Sequence, residues 1–183
     1  MDPYKNKFVE RKQLDNTALL SKMQDELRNA ITSHYADLAR EVDDICGYAV
    51  CAPSTFEHVF PAYQLRSELR NSSDDDSGLD SYFPPQWNSF GTIFFDDGFN
   101  SLMADISNRL WGDNCIEANK VYDRILKVVI DLEREGIFGP RSTHRFVTIC
   151  DVGGDESMII TSSEQLNASD THSRVLKAFG RNT

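Results

Sequence analysis

The chain has 183 residues, 40% of them hydrophobic and 26% charged, with 19 Lys and Arg against 29 Asp and Glu for a net charge of −10. A chain of this size and make-up can bury one ordinary core, which excludes global disorder and two full domains. No run approaches the 18 or so uncharged apolar residues of a membrane span. The opening MDPYKNKFVERKQ is polar, so no secretory signal is expected and the cytoplasm is the default compartment.

Residues 1–16 are expected to form an N-terminal arm. From Thr17 to Val42, Leu20, Met23, Leu27, Ala30, Ile31, Leu38 and Val42 recur at helical spacing, which predicts an amphipathic helix that Asp15 or Asn16 could cap. Ile45 to Ala52 is a short apolar run ending at Pro53, as a buried strand would. A second strand around Phe56 to Tyr63 is expected to pair with it as a hairpin. Pro61, which has no amide hydrogen, favours an edge position there.

A short helix is expected over Gln64 to Arg70, followed by a mobile acidic loop, NSSDDDSG. The segment SYFPPQWNSFGTIFFDDG, residues 81–98, is aromatic-rich and recovers into a predicted strand at Gly91 to Phe95. Its aromatics, Trp87 among them, are expected to form core. Helices are predicted from about Phe99 to Leu110 and from about Glu117 to Glu135, the second closed by Gly136. His144 to Cys150 reads as a core strand and Met158 to Thr161 as its partner, with Gly153 and Gly154 as the turn between them. A short terminal helix follows. The fold class expected is α+β, a single domain with a mainly antiparallel sheet packed against the long N-terminal helix and two further helices.

Reaction motifs are sparse. There is no GxSxG, no Walker loop and no GxGxxG, so no catalytic residue and no cofactor is assigned. Cys46, Cys51, Cys115 and Cys150 contain no CxxC pair, and His34, His58, His144 and His172 lack metal-ligand spacing, so no metal is expected and the thiols read as reduced and structural. Adjacent carboxylates at Asp43–Asp44, Asp74–Asp76, Asp96–Asp97 and Asp155–Glu156 read as solvated turns before they read as a catalytic dyad.

Charge is uneven along the chain. Residues 43–115 hold 12 acidic against 3 basic residues, a net −9, while the flanking parts are near neutral. Such a surface repels phosphate backbones, so direct nucleic-acid binding is not expected. Its plain reading is solubility. The sharper one is a field that draws in a basic partner through Asp74, Asp75, Asp76, Asp96 and Asp97. Asn100, directly after Phe99 and beside two acids, reads either as a helix cap or as a partner contact.

The long N-terminal helix, the GYAV strand, YFPPQWNSF with Trp87, FNSL with Asn100, the helix ending LEREGIFG with Leu132, Gly136 and Phe138, and the closing RFVTICDV strand come in an order that resembles a bacterial domain family of unknown function. The likeness spans roughly residues 17–167. Members are small stand-alone proteins, similar in setting and size to immunity proteins encoded beside polymorphic toxins. The resemblance implies a non-catalytic inhibitor whose partner is a cognate protein toxin, with a basic nuclease one candidate. The competing expectation is a small hydrolase or transferase using Trp87 and Asn100 for substrate and Asp96 as base. A third is a generic adaptor.

Overall fold

The computed structural model describes residues 3–69, 78–111 and 115–181, with side chains from residue 15 onward. Helix α1 spans Pro3–Glu41. It buries Leu20, Met23, Leu27, Ile31 and Leu38, the stripe that three- and four-residue spacing places on one face. Because α1 already begins at Pro3, Asp15 and Asn16 lie inside it and do not cap it; they accept hydrogen bonds from Arg109, at 2.9 and 3.2 Å. The expected arm is therefore the first turns of the helix.

Strand β1, Ile45–Ala52, is buried from Cys46 onward and forms the centre of a three-stranded sheet ordered β2-β1-β3. Strand β2, Phe60–Leu65, pairs with it antiparallel, so the hairpin is present but starts later than expected. The delay has a local cause: the chain first turns through Pro53–Phe56, with Phe56 at φ 55 and its amide bonded to the Pro53 carbonyl. Pro61 does sit on an edge strand, as its missing donor requires.

Strand β3, Phe146–Asp151, joins the other side of β1 in parallel register, Gly47 opposite Phe146 through Ala52 opposite Asp151. The sheet is thus mixed, one antiparallel and one parallel pairing, within a single α+β domain. A parallel pairing needs a long crossover. Between β2 and β3 the chain runs through α2, Arg66–Leu69, then α3, Asp97–Ser107, then α4, Ala118–Arg134. After α4 a left-handed residue, Gly136 at φ 79, closes the helix: its amide reaches the Glu133 carbonyl and the Ile137 amide the Leu132 carbonyl, a Schellman motif.

Two further expectations are corrected. Met158 to Thr161 is not a strand but the first part of α5, Ser157–Leu166, followed by α6, Ser169–Ala178, and the Gly153–Gly154 turn leads from strand to helix. Ile159, Ser162, Ser163 and Leu166 are the buried positions of α5, a helical spacing in which two members are polar. Gly91 to Phe95 forms no regular strand. The β2 edge it would have joined is already occupied at Tyr63, whose amide donates to Ser89 Oγ at 2.7 Å while that hydroxyl donates to the Tyr63 carbonyl at 2.6 Å.

Helices α1, α3 and α4 cover one face of the sheet, packing on Tyr48, Val50, Val147 and Ile149. The other face carries Ala49, Cys51, Phe60, Ala62, Phe146 and Cys150, and is covered by Trp87, Ile159 and Val175 with Tyr82, Phe83, Phe90 and Phe179 around them. Trp87 is 4% exposed, with its indole N–H donating to the Asp80 carbonyl at 3.1 Å, so it is core as expected. Its ring lies so close to the backbone of β1 that a Cβ at Gly47 would stand 2.9 Å from it.

Candidate partner-binding segment

Residues 89–100 connect the two sides of the sheet around the β2 edge. Phe90 packs on Phe60 on the second face, at 5.4 Å between ring centroids. Phe95 packs edge-on against Phe99 at 5.5 Å and His34 at 6.2 Å within the first core. Phe95 is buried while its neighbour Phe94 is not. Phe94 is 59% exposed and rests one side of its ring on Phe60, 5.7 Å away.

Both ends of this stretch are fixed. At the start, Ser89 is hooked to Tyr63 and accepts from the Thr92 hydroxyl at 2.8 Å. At the end, Asp96 is the N-cap of α3, its Oδ1 accepting from the Phe99 amide at 3.0 Å. Asn100, expected as a possible cap, lies inside the first turn. It donates from Nδ2 to the Phe95 carbonyl at 2.9 Å, while its Oδ1 is buried with no partner. Asp97 follows the cap in the first turn of α3, where the positive pole of the helix favours a carboxylate. Asp96 and Asp97 are both exposed.

The structure therefore brings Asp96, Asp97 and Asn100 together and adds Phe94 to them. Asp74, Asp75 and Asp76, with the loop expected to be mobile, lie outside the described residues. Trp87 packs on the opposite side of the sheet from Phe95 and Phe99, the two phenylalanines that flank Asp96 and Asn100. Phe94 departs from the expectation that the aromatics of this segment form core: Phe95 takes the buried position and Phe94 the exposed one.

Elsewhere, Glu133 is buried on α4 and takes hydrogen bonds from Arg141 at 2.8 and 2.6 Å and from Arg145 at 3.1 Å. The Arg141 guanidinium, opposed by burial, holds the Glu133 carboxyl below its usual range. These groups tie the loop before β3 to α4 and α5, because Arg145 also reaches the Leu166 carbonyl and Arg141 the Gln165 carbonyl. Among the described residues no group of three His, Cys, Asp or Glu is placed to hold a metal ion, and no helix is long and apolar enough to cross a membrane.

A family model matches residues 27–168, most of the chain and the whole of the sheet. The chain belongs to DUF4303, a domain of unknown function. No curated protein and no solved structure matched it. In this DUF4303 domain the matched span contains the exposed segment around Phe94 and both edges of the sheet.

Proposed function

We propose that this DUF4303 protein is an immunity-type binding protein of bacterial origin, acting in the cytoplasm to hold and block a cognate toxin. The observation that carries the reading is the pairing of exposed Phe94 with exposed Asp96 and Asp97 on a backbone fixed at both ends. Aromatic side chains are enriched at interface cores and charges suit the rim around them, and a backbone already ordered loses little entropy on binding. The acids suit a basic partner, since complementary fields raise association rates. A toxin that attacks nucleic acid must itself attract phosphate, which makes a basic nuclease the partner of choice. Such an inhibitor works by occupying the toxin's surface and needs no catalytic group of its own.

The test is co-expression with a candidate toxin encoded beside this gene, whose absence from the neighbourhood would itself count against the reading. Growth restored by the wild-type chain, together with a complex that survives size-exclusion chromatography, supports the reading. Absence of both rescue and complex rejects it.

A further inference from the structure

On the second face of the sheet, where β1 and β3 begin and β2 ends, lies an open cleft of about 230 Å³. Its cationic side chains are Arg66, Arg145 and Arg174, His144 lies beside them, and among the described residues no carboxylate lines it. In a chain of net charge −10 that is a local reversal of sign. Acidic groups stand close by among the described residues: Glu133 accepts from the lining Arg145 at 3.1 Å, Glu68 and Asp80 line a neighbouring cleft, and Asp44 lies near Arg66 and Cys46. The cleft lies apart from Phe94, which stands near the opposite end of β2, four residues and roughly 13 Å of strand away.

Those cations differ in how committed they are. Arg145 is structural, its side chain 10% exposed and bonded to Glu133, Gly139 and Leu166, yet its Nε–H is buried with no partner. Arg174 is exposed and makes a long 3.4 Å bond to the Thr143 carbonyl. Arg66 is exposed and forms no ion pair among the described residues. Ser81 and Thr143 line the same space, and half-buried Tyr82 supplies an aromatic wall, its ring edge to face at 5.2 Å with the buried Phe146 behind it.

We infer that this cleft binds a small phosphate monoester carrying one flat ring, its phosphate held by Arg66 and Arg174 and its ring laid against Tyr82. Guanidinium forks match phosphate oxygens in pairs. Two exposed guanidinia, an imidazole and two hydroxyls supply more donors than the two oxygens of a carboxylate accept, whereas a phosphate monoester offers three terminal oxygens. The cleft is smaller than the roughly 300 to 1,000 Å³ of sites for drug-sized ligands, so the ring is single. This inference stands independently of the toxin-binding reading, because it uses neither Phe94 nor the acids beside it.

Isothermal titration of the full chain with phenyl phosphate, in low salt, tests it. Binding with a dissociation constant below about 1 mM is expected for wild type, with a loss of at least tenfold in Arg66→Gln/Arg174→Gln and little change in the distant surface variant Arg40→Gln. Inorganic phosphate is expected to bind several-fold more weakly than phenyl phosphate, because it leaves the aromatic wall uncovered. Both exposed arginines can be replaced without opening the core, and an unchanged melting temperature verifies that. Absence of binding overturns the inference. So does equal loss in Arg40→Gln, full binding retained by the folded double variant, or inorganic phosphate binding as tightly as phenyl phosphate.

Discussion

Asn167 pairs with Val147 as a neighbouring strand would. Its Oδ1 accepts from the Val147 amide at 2.8 Å and its Nδ2 donates to the Val147 carbonyl at 2.7 Å. Two residues on, the Ile149 amide donates to Ser162 Oγ at 3.0 Å. Side chains from α5 and the residue after it thereby close the β3 edge, and Ser89 closes the β2 edge at Tyr63. A three-stranded sheet has two open edges, each a template for unwanted pairing, and here each is blunted by side chains.

Asn167→Ala is therefore expected to leave a buried N–H and C=O unpaired and to cost about 2 to 4 kcal/mol. Urea unfolding measures it, and a loss under about 0.5 kcal/mol would mean that water replaces the amide at this edge.

Trp87 and Gly47 should behave as one packing unit. Trp87→Ala removes a buried indole and is expected to cost about 3 to 5 kcal/mol. Gly47→Ala forces a methyl group against the same ring and is expected to cost about 1 to 3 kcal/mol. In the double variant the ring contacts are gone and only the 3.0 Å approach to Gln64 Cβ remains, so the two losses should sum to less than their separate values. Additive losses would show that strand and ring are not in contact in solution.

The Glu133 cluster predicts a pH dependence. A carboxyl held low in the folded state stabilises fully above its unfolded pKa, about 4.3, and the contribution fades as pH falls through the lower folded value. The stability difference between wild type and Glu133→Gln should accordingly be large at pH 7 and shrink below about pH 4. At neutral pH the variant leaves Arg145 buried without its anion, a loss of about 3 to 5 kcal/mol. A difference that stays constant from pH 7 to pH 3 would contradict the ion-pair account.

Thiol reactivity separates the cysteines. Cys51 and Cys150 face each other across β1 and β3, fully buried, and desolvation raises the Cys51 thiol well above its ordinary pKa. Burial also pushes Cys46 up to about 11. Cys115 is exposed. Native protein treated with an alkylating agent should carry one label, at Cys115, and take up three more after denaturation. Rapid labelling of Cys150 in the native protein would show that the second face opens.

Much of the fold is legible from spacing. The stripe through Met23, Leu27 and Ile31 announces α1, and Val121, Ile125, Val128 and Leu132 announce α4. Helix α5 hides because Ser162 and Ser163 occupy its buried positions, so a hydrophobic pattern reads only the β-branched Ile159–Ile160–Thr161 and suggests a strand. The direction of β3 hides for another reason. All six of its residues are buried, and a run buried on both faces looks the same in either orientation. At the candidate segment, Asp96 and Asp97 were visible as charge, while the outward turn of Phe94 follows from tertiary packing of Phe95. The arginines of the second-face cleft stand far apart in the chain, and each alone reads as ordinary surface.

Asp96 separates capping from partner binding. Asp96→Asn keeps a good capping side chain and loses the charge, whereas Asp96→Ala loses both. The alanine variant should lose about 0.5 to 2 kcal/mol of stability and the asparagine variant little. Equal destabilisation by both would mean that the charge, and not the hydrogen bond to Phe99, holds the start of α3.

The most direct measurement is the dissociation constant for the proposed cognate toxin of wild type, Phe94→Ala and Asp96→Asn/Asp97→Asn, each taken at two salt concentrations. Phe94→Ala is expected to weaken binding by about 2 kcal/mol or more, near thirtyfold, with little dependence on salt. Asp96→Asn/Asp97→Asn is expected to slow association at low salt, an effect that shrinks as screening increases. If both folded variants bind as wild type does at both salt concentrations, the segment around Phe94 is not the partner surface and the account is wrong.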